Sequence, residues 1–105
     1  MAERTIDAKI MEVIEQYITE LYKRYDIEAV YLFGSYVNGT NNEDSDIDIA
    51  VILKSEINSF DIMVEMMLLT KNIDLRIEPH PIKLEDFENG NPFVEEIKNT
   101  GLKVA

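Results

Sequence analysis

The sequence of 105 residues contains no cysteine and lacks long apolar runs. Without cysteine the chain has neither a disulfide framework nor a thiolate metal site, which fits a reducing compartment. No apolar run approaches the length of a membrane span, and the first ten residues contain no apolar signal core. We therefore expect a soluble, cytoplasmic protein that does not associate with a membrane.

Positive charge is also scarce. Ten Lys and Arg residues stand against 21 Asp and Glu residues, which gives a formal net charge of -11. Non-specific binding to a nucleic-acid backbone depends on clustered Lys and Arg side chains. The composition therefore argues against a polynucleotide as the main substrate.

Internal repeats and low-complexity segments are absent as well, and the length suits a single core. We expect one domain over residues 1–105. Apolar residues recur every three or four positions over residues 5–25, which predicts an amphipathic helix. Further helices are predicted at residues 35–38, 84–87 and 92–100, and another runs from a cap at Asn58 to about Thr70. Gly101 is expected to end the last helix, before a brief strand or tail.

Three short segments are predicted to be strands. Residues 27–33 and 47–53 are apolar runs, and the second is apolar at both odd and even positions, as in strands covered on both faces. Residues 73–77 alternate between apolar and charged side chains, and Pro79 and Pro81 are expected to end this third strand. The order of elements indicates an α/β or α+β fold, with a small mixed sheet flanked by helices.

The predicted topology brings several polar residues to one edge of the sheet. The second and third strands are joined by a helix, so they should run parallel and begin at the same edge. If the first strand runs antiparallel to the second, its end lies at that edge too. The residues placed there are Gly34, Ser35, Asp46, Asp48 and Asp74.

The three aspartates predict a metal site. Asp46 and Asp48 lie two apart in a strand, so their side chains share a face with Cα atoms roughly 6 to 7 Å apart. Asp74 on the neighbouring strand would complete the group, on the order of 5 Å away. Crowded carboxylates raise one another's pKa unless cations are present, and Mg²⁺ favours such ligands together with substrate phosphates. Two Mg²⁺ ions would stabilise the attacking and leaving oxygens of a displacement at phosphorus.

The turn before these aspartates suits a phosphate. Gly34 allows the backbone to approach a phosphate group closely. Ser35 offers a hydroxyl and an amide at the start of the predicted short helix. We therefore expect Gly34 and Ser35 to bind the phosphates of a nucleoside triphosphate.

The sequence contains Gly34-Ser35, then ten intervening residues and Asp46-Ile47-Asp48. This arrangement matches the GS-x10-DxD signature of the DNA polymerase β-like nucleotidyltransferase superfamily. The run GSYVNGTNNEDSDIDIAV closely resembles the minimal nucleotidyltransferase branch, and the resemblance covers about residues 31–79. It implies a nucleotidyltransferase fold in which the glycine and serine bind phosphates and the paired aspartates bind Mg²⁺. It also implies a third carboxylate, here Asp74, which ligates one metal ion and helps to deprotonate the attacking hydroxyl.

The resemblance further implies an Mg²⁺-dependent enzyme that transfers a nucleoside monophosphate, with AMP from ATP as the expected case, to a hydroxyl group. Minimal members are often encoded beside a HEPN-domain protein, so the implied setting is a toxin–antitoxin-like system in which a tyrosine of that partner is adenylylated. One alternative is a non-catalytic antitoxin-like module that masks a HEPN-type ribonuclease by contact. Another is transfer to a small molecule such as an aminoglycoside. Homo- and hetero-oligomers both stay open.

Several neighbouring residues have a second interpretation. Many relatives have an arginine where this chain has Asn38, so the resemblance assigns no phosphate contact to this side chain. Asp44 falls outside the motif and is assigned to the loop. The second interpretation of Asp74 is an exposed residue in a charge ladder along the strand. Glu78 is only the reserve metal ligand, because it lies at the far end of the predicted strand. His80 is expected to be structural or solvated.

Overall fold

The computed structural model describes residues 6–42, 44–54 and 59–105. Helices and strands alternate along most of this part of the chain, as the sequence predicts. Their bounds are α1 Ala8–Arg24, β1 Ile27–Phe33, α2 Ser35–Asn38, β2 Ile47–Leu53, α3 Ser59–Leu69, β3 Ile77–Lys83, α4 Leu84–Asn89, α5 Pro92–Thr100 and β4 Leu102–Lys103, with a 3-10 helix at Thr70–Asn72 between α3 and β3.

The strands form one mixed sheet in the order β3-β2-β1-β4. β1 runs antiparallel to both β2 and β4, and β2 runs parallel to β3 across the connection that contains α3. The parallel direction predicted for β2 and β3 is therefore confirmed, and the antiparallel condition set for the first strand is met. The end of β1 and the beginnings of β2 and β3 lie at the same edge of the sheet.

β2 lies inside the sheet and is covered on both faces. Ile47, Ile49 and Val51 belong to the core that includes the buried side chains of α1 and α3, whereas Ala50 packs with Ile97 of α5. Since side chains alternate along a strand, the residue between Ile47 and Ile49 points to the α5 face. That residue is Asp48.

The predicted first helix begins at Ala8, after Asp7, whose side chain accepts a hydrogen bond of 2.7 Å from the Lys9 N–H. This contact is an N-cap of the kind that aspartate favours. Tyr17 is fully buried, and its hydroxyl donates a hydrogen bond of 2.7 Å to the Met66 carbonyl, which joins α1 to α3. The predicted start at Thr5 lies outside the described residues.

α3 is apolar on more than one side, as its sequence indicates. Ile62 and Met66 are buried, but the opposite side exposes Phe60, Val64, Met67 and Leu68. These four side chains follow helical spacing and form a continuous apolar stripe. The predicted cap, Asn58, lies outside the described residues. Within residues 6–42, 44–54 and 59–105, no helix combines the length and the apolarity that crossing a membrane requires.

The predicted bounds of the third strand are wrong. β3 covers Ile77–Lys83 and includes Pro79 and Pro81, which were expected to end it. Among the described strands, β3 is an edge strand and pairs only with β2. Proline has no N–H to donate, so it is tolerated in such a strand where its nitrogen points away from β2. The two prolines lie two residues apart, so their nitrogens point to the same side. Their presence at an edge is therefore compatible with the ladder to β2.

Candidate active site

Gly34 connects β1 to the short helix α2, and two features exclude a side chain there. Its φ of 81° lies in the left-handed region that glycine favours. A Cβ atom built on Gly34 would also collide with the Asp48 Oδ2 atom. The absence of a side chain at Gly34 therefore leaves room for the Asp48 carboxylate beside the turn.

Asp46 and Asp48 lie at the edge where β2 begins, as predicted. Asp46 precedes the strand and is exposed, whereas the side chain of Asp48 is 22% exposed and lies on the α5 face. Asp48 is opposite Phe33 of β1 on one side. On its other side it is opposite Glu78 of β3.

Glu78, the reserve candidate, is the third carboxyl group of this cluster. Its position opposite Asp48 results from the parallel register of β2 and β3. Burial raises the pKa of Glu78, and the adjacent carboxyl groups of Asp46 and Asp48 raise it further, partly offset by His80. The carboxyl groups of Asp46 and Asp48 thus add to the effect of burial on Glu78, although 47% of its side chain is exposed.

His80 lies next to the same carboxylates. Its Nε2 atom is 3.3 Å from Asp48 Oδ1 and 4.0 Å from Glu78 Oε1. The imidazole packs against Phe33 with ring centroids 5.1 Å apart and against Phe93 of α5 at 5.8 Å. His80 is therefore a member of the cluster and not an isolated residue in a turn.

Among the described residues, Asp48, Glu78 and His80 form a group whose possible ligand atoms all lie within 4.8 Å of one another. Carboxylate oxygens and imidazole nitrogen are common ligands of divalent cations in proteins. A cation would also relieve the repulsion between these carboxylates. The donor atoms present therefore fit a bound divalent metal ion.

Asp74 is placed differently from the prediction. It precedes β3, and its side chain accepts a hydrogen bond of 2.9 Å from the Arg76 N–H, a local turn that competes with an extended strand. Its two carboxylate oxygens also pair with the Arg76 guanidinium at 3.0 and 2.7 Å. This guanidinium holds the pKa of Asp74 below its usual range. The predicted position of Asp74 within a strand is thus wrong, and its charge is neutralised by Arg76.

The ion pair of Asp74 supports the turn that follows β1. Arg76 Nη1 lies 3.4 Å from the hydroxyl of Tyr36, a buried residue of α2. Ser35 begins this helix and Asn38 ends it, with Asn38 exposed to solvent. The helix at residues 35–38 therefore forms where the sequence predicts it, and Asp44 is exposed in the loop beyond it.

The proximity of Glu78 and His80 to Asp48 was not predicted because their strand was placed too early. A signal was present in the sequence, since polar residues at 78 and 80 alternate with Ile77, Pro79 and Pro81. Prolines are acceptable in an edge strand, and with that strand in place the alternation puts both polar side chains on one face. The sequence alone does not reveal that this face is the one that Asp48 occupies.

Known proteins resemble this chain over much of its length. A family model described as polymerase beta, nucleotidyltransferase matches residues 15–104. A crystal structure provisionally assigned as a nucleotidyltransferase from Sulfolobus solfataricus superposes with a TM-score of 0.65 and 20% identity, covering 98% of this chain and 87% of that one. A toxin–antitoxin structure with AMP-PNP gives a TM-score of 0.64 and 21% identity, covering 90% and 72% of the two chains. These likenesses confirm the predicted fold.

Sequence similarity extends to named enzymes. The protein adenylyltransferase MntA of Thermococcus cleftensis is 39% identical over 51 residues, which are 49% of this chain and 50% of that protein. The chain spans about half the length of the curated relatives that it matches. Because the family model matches 15–104 and the mixed sheet has the corresponding fold, this chain belongs to the polymerase β nucleotidyltransferase family, with protein adenylyltransferases of the MntA type among its relatives.

Proposed function

We propose that the chain is an Mg²⁺-dependent nucleotidyltransferase that transfers AMP from ATP to a tyrosine hydroxyl of a HEPN-type partner. The observation that carries this proposal is the acidic cluster beside the Gly34-Ser35 turn. Asp48 and Glu78 face each other across β2 and β3, and Asp46 lies next to Glu78. A triphosphate seated on the turn would have its reacting phosphorus near these carboxylates.

Asp46, Asp48 and Glu78 are the proposed ligands of Mg²⁺. When bound, Mg²⁺ neutralises charge on the phosphates and favours ionisation of the attacking hydroxyl. The role that the family resemblance assigns to Asp74 is proposed here for Glu78. Two observations favour this exchange: Glu78 lies opposite Asp48, whereas the carboxylate of Asp74 is paired with Arg76.

The chain's own residues orient the reactants. The backbone at Gly34 lets a phosphate approach, and the Ser35 hydroxyl and amide donate hydrogen bonds to phosphate oxygens. The acceptor oxygen attacks the α-phosphorus, the bond to the bridging oxygen of the β-phosphate breaks, and pyrophosphate leaves. A carboxylate of the cluster accepts the proton of the hydroxyl, and Glu78, which takes the role that the resemblance assigns to the third carboxylate, is the proposed base.

The partner is proposed from the relatives and from the surface. The structural neighbour with AMP-PNP is a toxin–antitoxin assembly. In this chain, the exposed apolar stripe of α3 is of the kind that marks surfaces for protein association. It lies on the helix that covers the sheet face opposite Asp48, so a partner docked there must reach the acidic cluster with a tyrosine from another segment.

The test is transfer from α-labelled ATP, in the presence of Mg²⁺, to a HEPN-domain protein that binds this chain. We expect label on the partner, its loss on treatment with EDTA, and its loss with Asp48→Asn. Asp44→Asn is the matched control, because Asp44 is an exposed acidic residue of the loop before β2 and lies outside the cluster. Absence of label, with both proteins folded and bound to each other, would refute the proposal.

A second function is favoured by the α3 stripe alone, namely masking of a HEPN-type ribonuclease by contact. Under this alternative the double variant Asp46→Asn and Asp48→Asn would neutralise the partner as fully as the unmodified chain. A charge change on the stripe, Met67→Glu, would instead abolish neutralisation. The two variants thus separate catalysis from masking.

A further inference from the structure

We propose that His80 is a nitrogen ligand of the metal ion held by Asp48 and Glu78, and that the site therefore favours transition-metal ions over Mg²⁺. The inference rests on the proposed function only in taking this cluster as the cation site. It starts from one observation, that an imidazole nitrogen and two carboxylates from different strands lie within 4.8 Å of one another.

The backbone directs His80 into the cluster. Glu78 and His80 lie two residues apart on β3, so both side chains lie on the face that Asp48 occupies on β2. Pro79 and Pro81 flank His80 and restrict the φ angles on both sides of it. The imidazole is thus attached to a stiff segment, and the pairing of β3 with β2 sets the position of that segment along β2.

Aromatic packing then restricts the imidazole ring itself. Phe33 and Phe93 contact it from β1 and α5, with ring centroids 5.1 and 5.8 Å away, and their own centroids are 5.5 Å apart. The β2 residue opposite His80 is Ala50, whose small side chain is fully buried. The rings leave Nε2 facing the carboxylates at 3.3 and 4.0 Å. A ligand held in this way loses little conformational entropy on metal binding.

The chemistry of the donors leads to a preference among metals. Mg²⁺ takes oxygen ligands and keeps several waters, so a protein nitrogen adds little to its binding. Imidazole binds first-row transition-metal ions, and their affinity for mixed nitrogen and oxygen sites rises from Mn²⁺ to Co²⁺ and beyond. A site of two carboxylates and one imidazole should therefore bind Co²⁺ more tightly than Mg²⁺.

The direct test is pulsed electron paramagnetic resonance of Mn²⁺ bound to the tag-free chain in a buffer without nitrogen ligands. The sequence contains a single histidine, so a ¹⁴N imidazole coupling can arise only from His80. We expect that coupling in the unmodified chain and its absence in His80→Gln. Bound Mn²⁺ that shows couplings to water protons alone would overturn the inference, even if the variant fails to fold.

Metal affinities separate ligation from simple positioning of Asp48. With Mn²⁺ competition as the readout, His80→Gln should weaken Co²⁺ binding about 10- to 100-fold. Mg²⁺ binding should change less than about threefold, because water replaces the nitrogen. Asp74→Asn is the control and should leave both affinities unchanged. Equal losses for Co²⁺ and Mg²⁺ would mean that His80 only positions the carboxylate.

Failure of AMP transfer with the nitrogen coupling intact would count against the proposed function alone.

Discussion

The turn that ends at Arg76 and the strand that begins at Ile77 each carry one acidic residue, and the two residues have opposite surroundings. Asp74 is paired with Arg76, which lowers its pKa. Glu78 lies beside Asp46 and Asp48 with 47% of its side chain exposed, and its pKa is raised. A carboxylate whose charge a neighbour already neutralises supports the fold, whereas one surrounded by like charge is suited to a cation. The difference separates a structural acid from a candidate ligand.

The largest expected effect is on catalysis. Glu78→Gln should slow Mg²⁺-dependent AMP transfer by about a hundredfold or more, because a metal ligand is lost, while Asp74→Asn should slow it far less. Transfer rates of the two variants, measured beside their circular dichroism spectra, test the comparison directly. An equal loss in a folded Asp74→Asn protein would show that the two acids share one role.

Metal-dependent stability gives the next effect. At an Mg²⁺ concentration about 100 times the dissociation constant, the free energy of unfolding should rise by about 2.7 kcal/mol. For a chain of this size that corresponds to a shift of the melting temperature on the order of 10 °C. Thermal melts with and without Mg²⁺ should show the shift in the unmodified chain and in Asp74→Asn, but little of it in Asp48→Asn. A full shift in Asp48→Asn would place the ion elsewhere.

A smaller effect concerns the turn itself. Asp74→Asn removes the charge that binds the Arg76 guanidinium and should lower the free energy of unfolding by about 1 to 2 kcal/mol. Chemical denaturation without metal measures this loss. Glu78→Gln serves as the matched change, since it removes repulsion between carboxylates and should leave the stability unchanged or higher. Destabilisation by Glu78→Gln of the same size would contradict the contrast between the two acids.

The smallest effect is on the pH dependence of stability without metal. The folded protein binds the Glu78 proton more tightly than the unfolded chain, so this group's contribution to the free energy of unfolding falls as pH rises above its ordinary pKa of 4.5. Asp74 behaves oppositely: its contribution is present above its ordinary pKa of 3.8 and is lost as pH falls below it. Urea unfolding over a pH series, with each variant subtracted from the unmodified chain, should give difference curves of opposite slope. Curves of the same slope would show that the two environments are alike.

The sequence by itself determined most of the fold. The hydrophobic period and the turn residues were enough to predict α1, β1, α2, β2 and α5. Each of these segments has a local pattern that is compatible with one kind of element. The helical connection was enough for the parallel pairing of β2 and β3. For the candidate site, the spacing of Gly34-Ser35 and Asp46-Ile47-Asp48 led to the correct family.

The tertiary structure decided which third carboxylate joins Asp48. Asp74 alternates with apolar neighbours as a strand residue would, but its side chain bonds to the Arg76 backbone and forms a turn instead. β3 consequently starts at Ile77, and its register with β2 places Glu78 beside Asp48 and brings His80 within reach. The sequence does not encode this pairing in any local pattern, because it depends on contacts between strands about thirty residues apart.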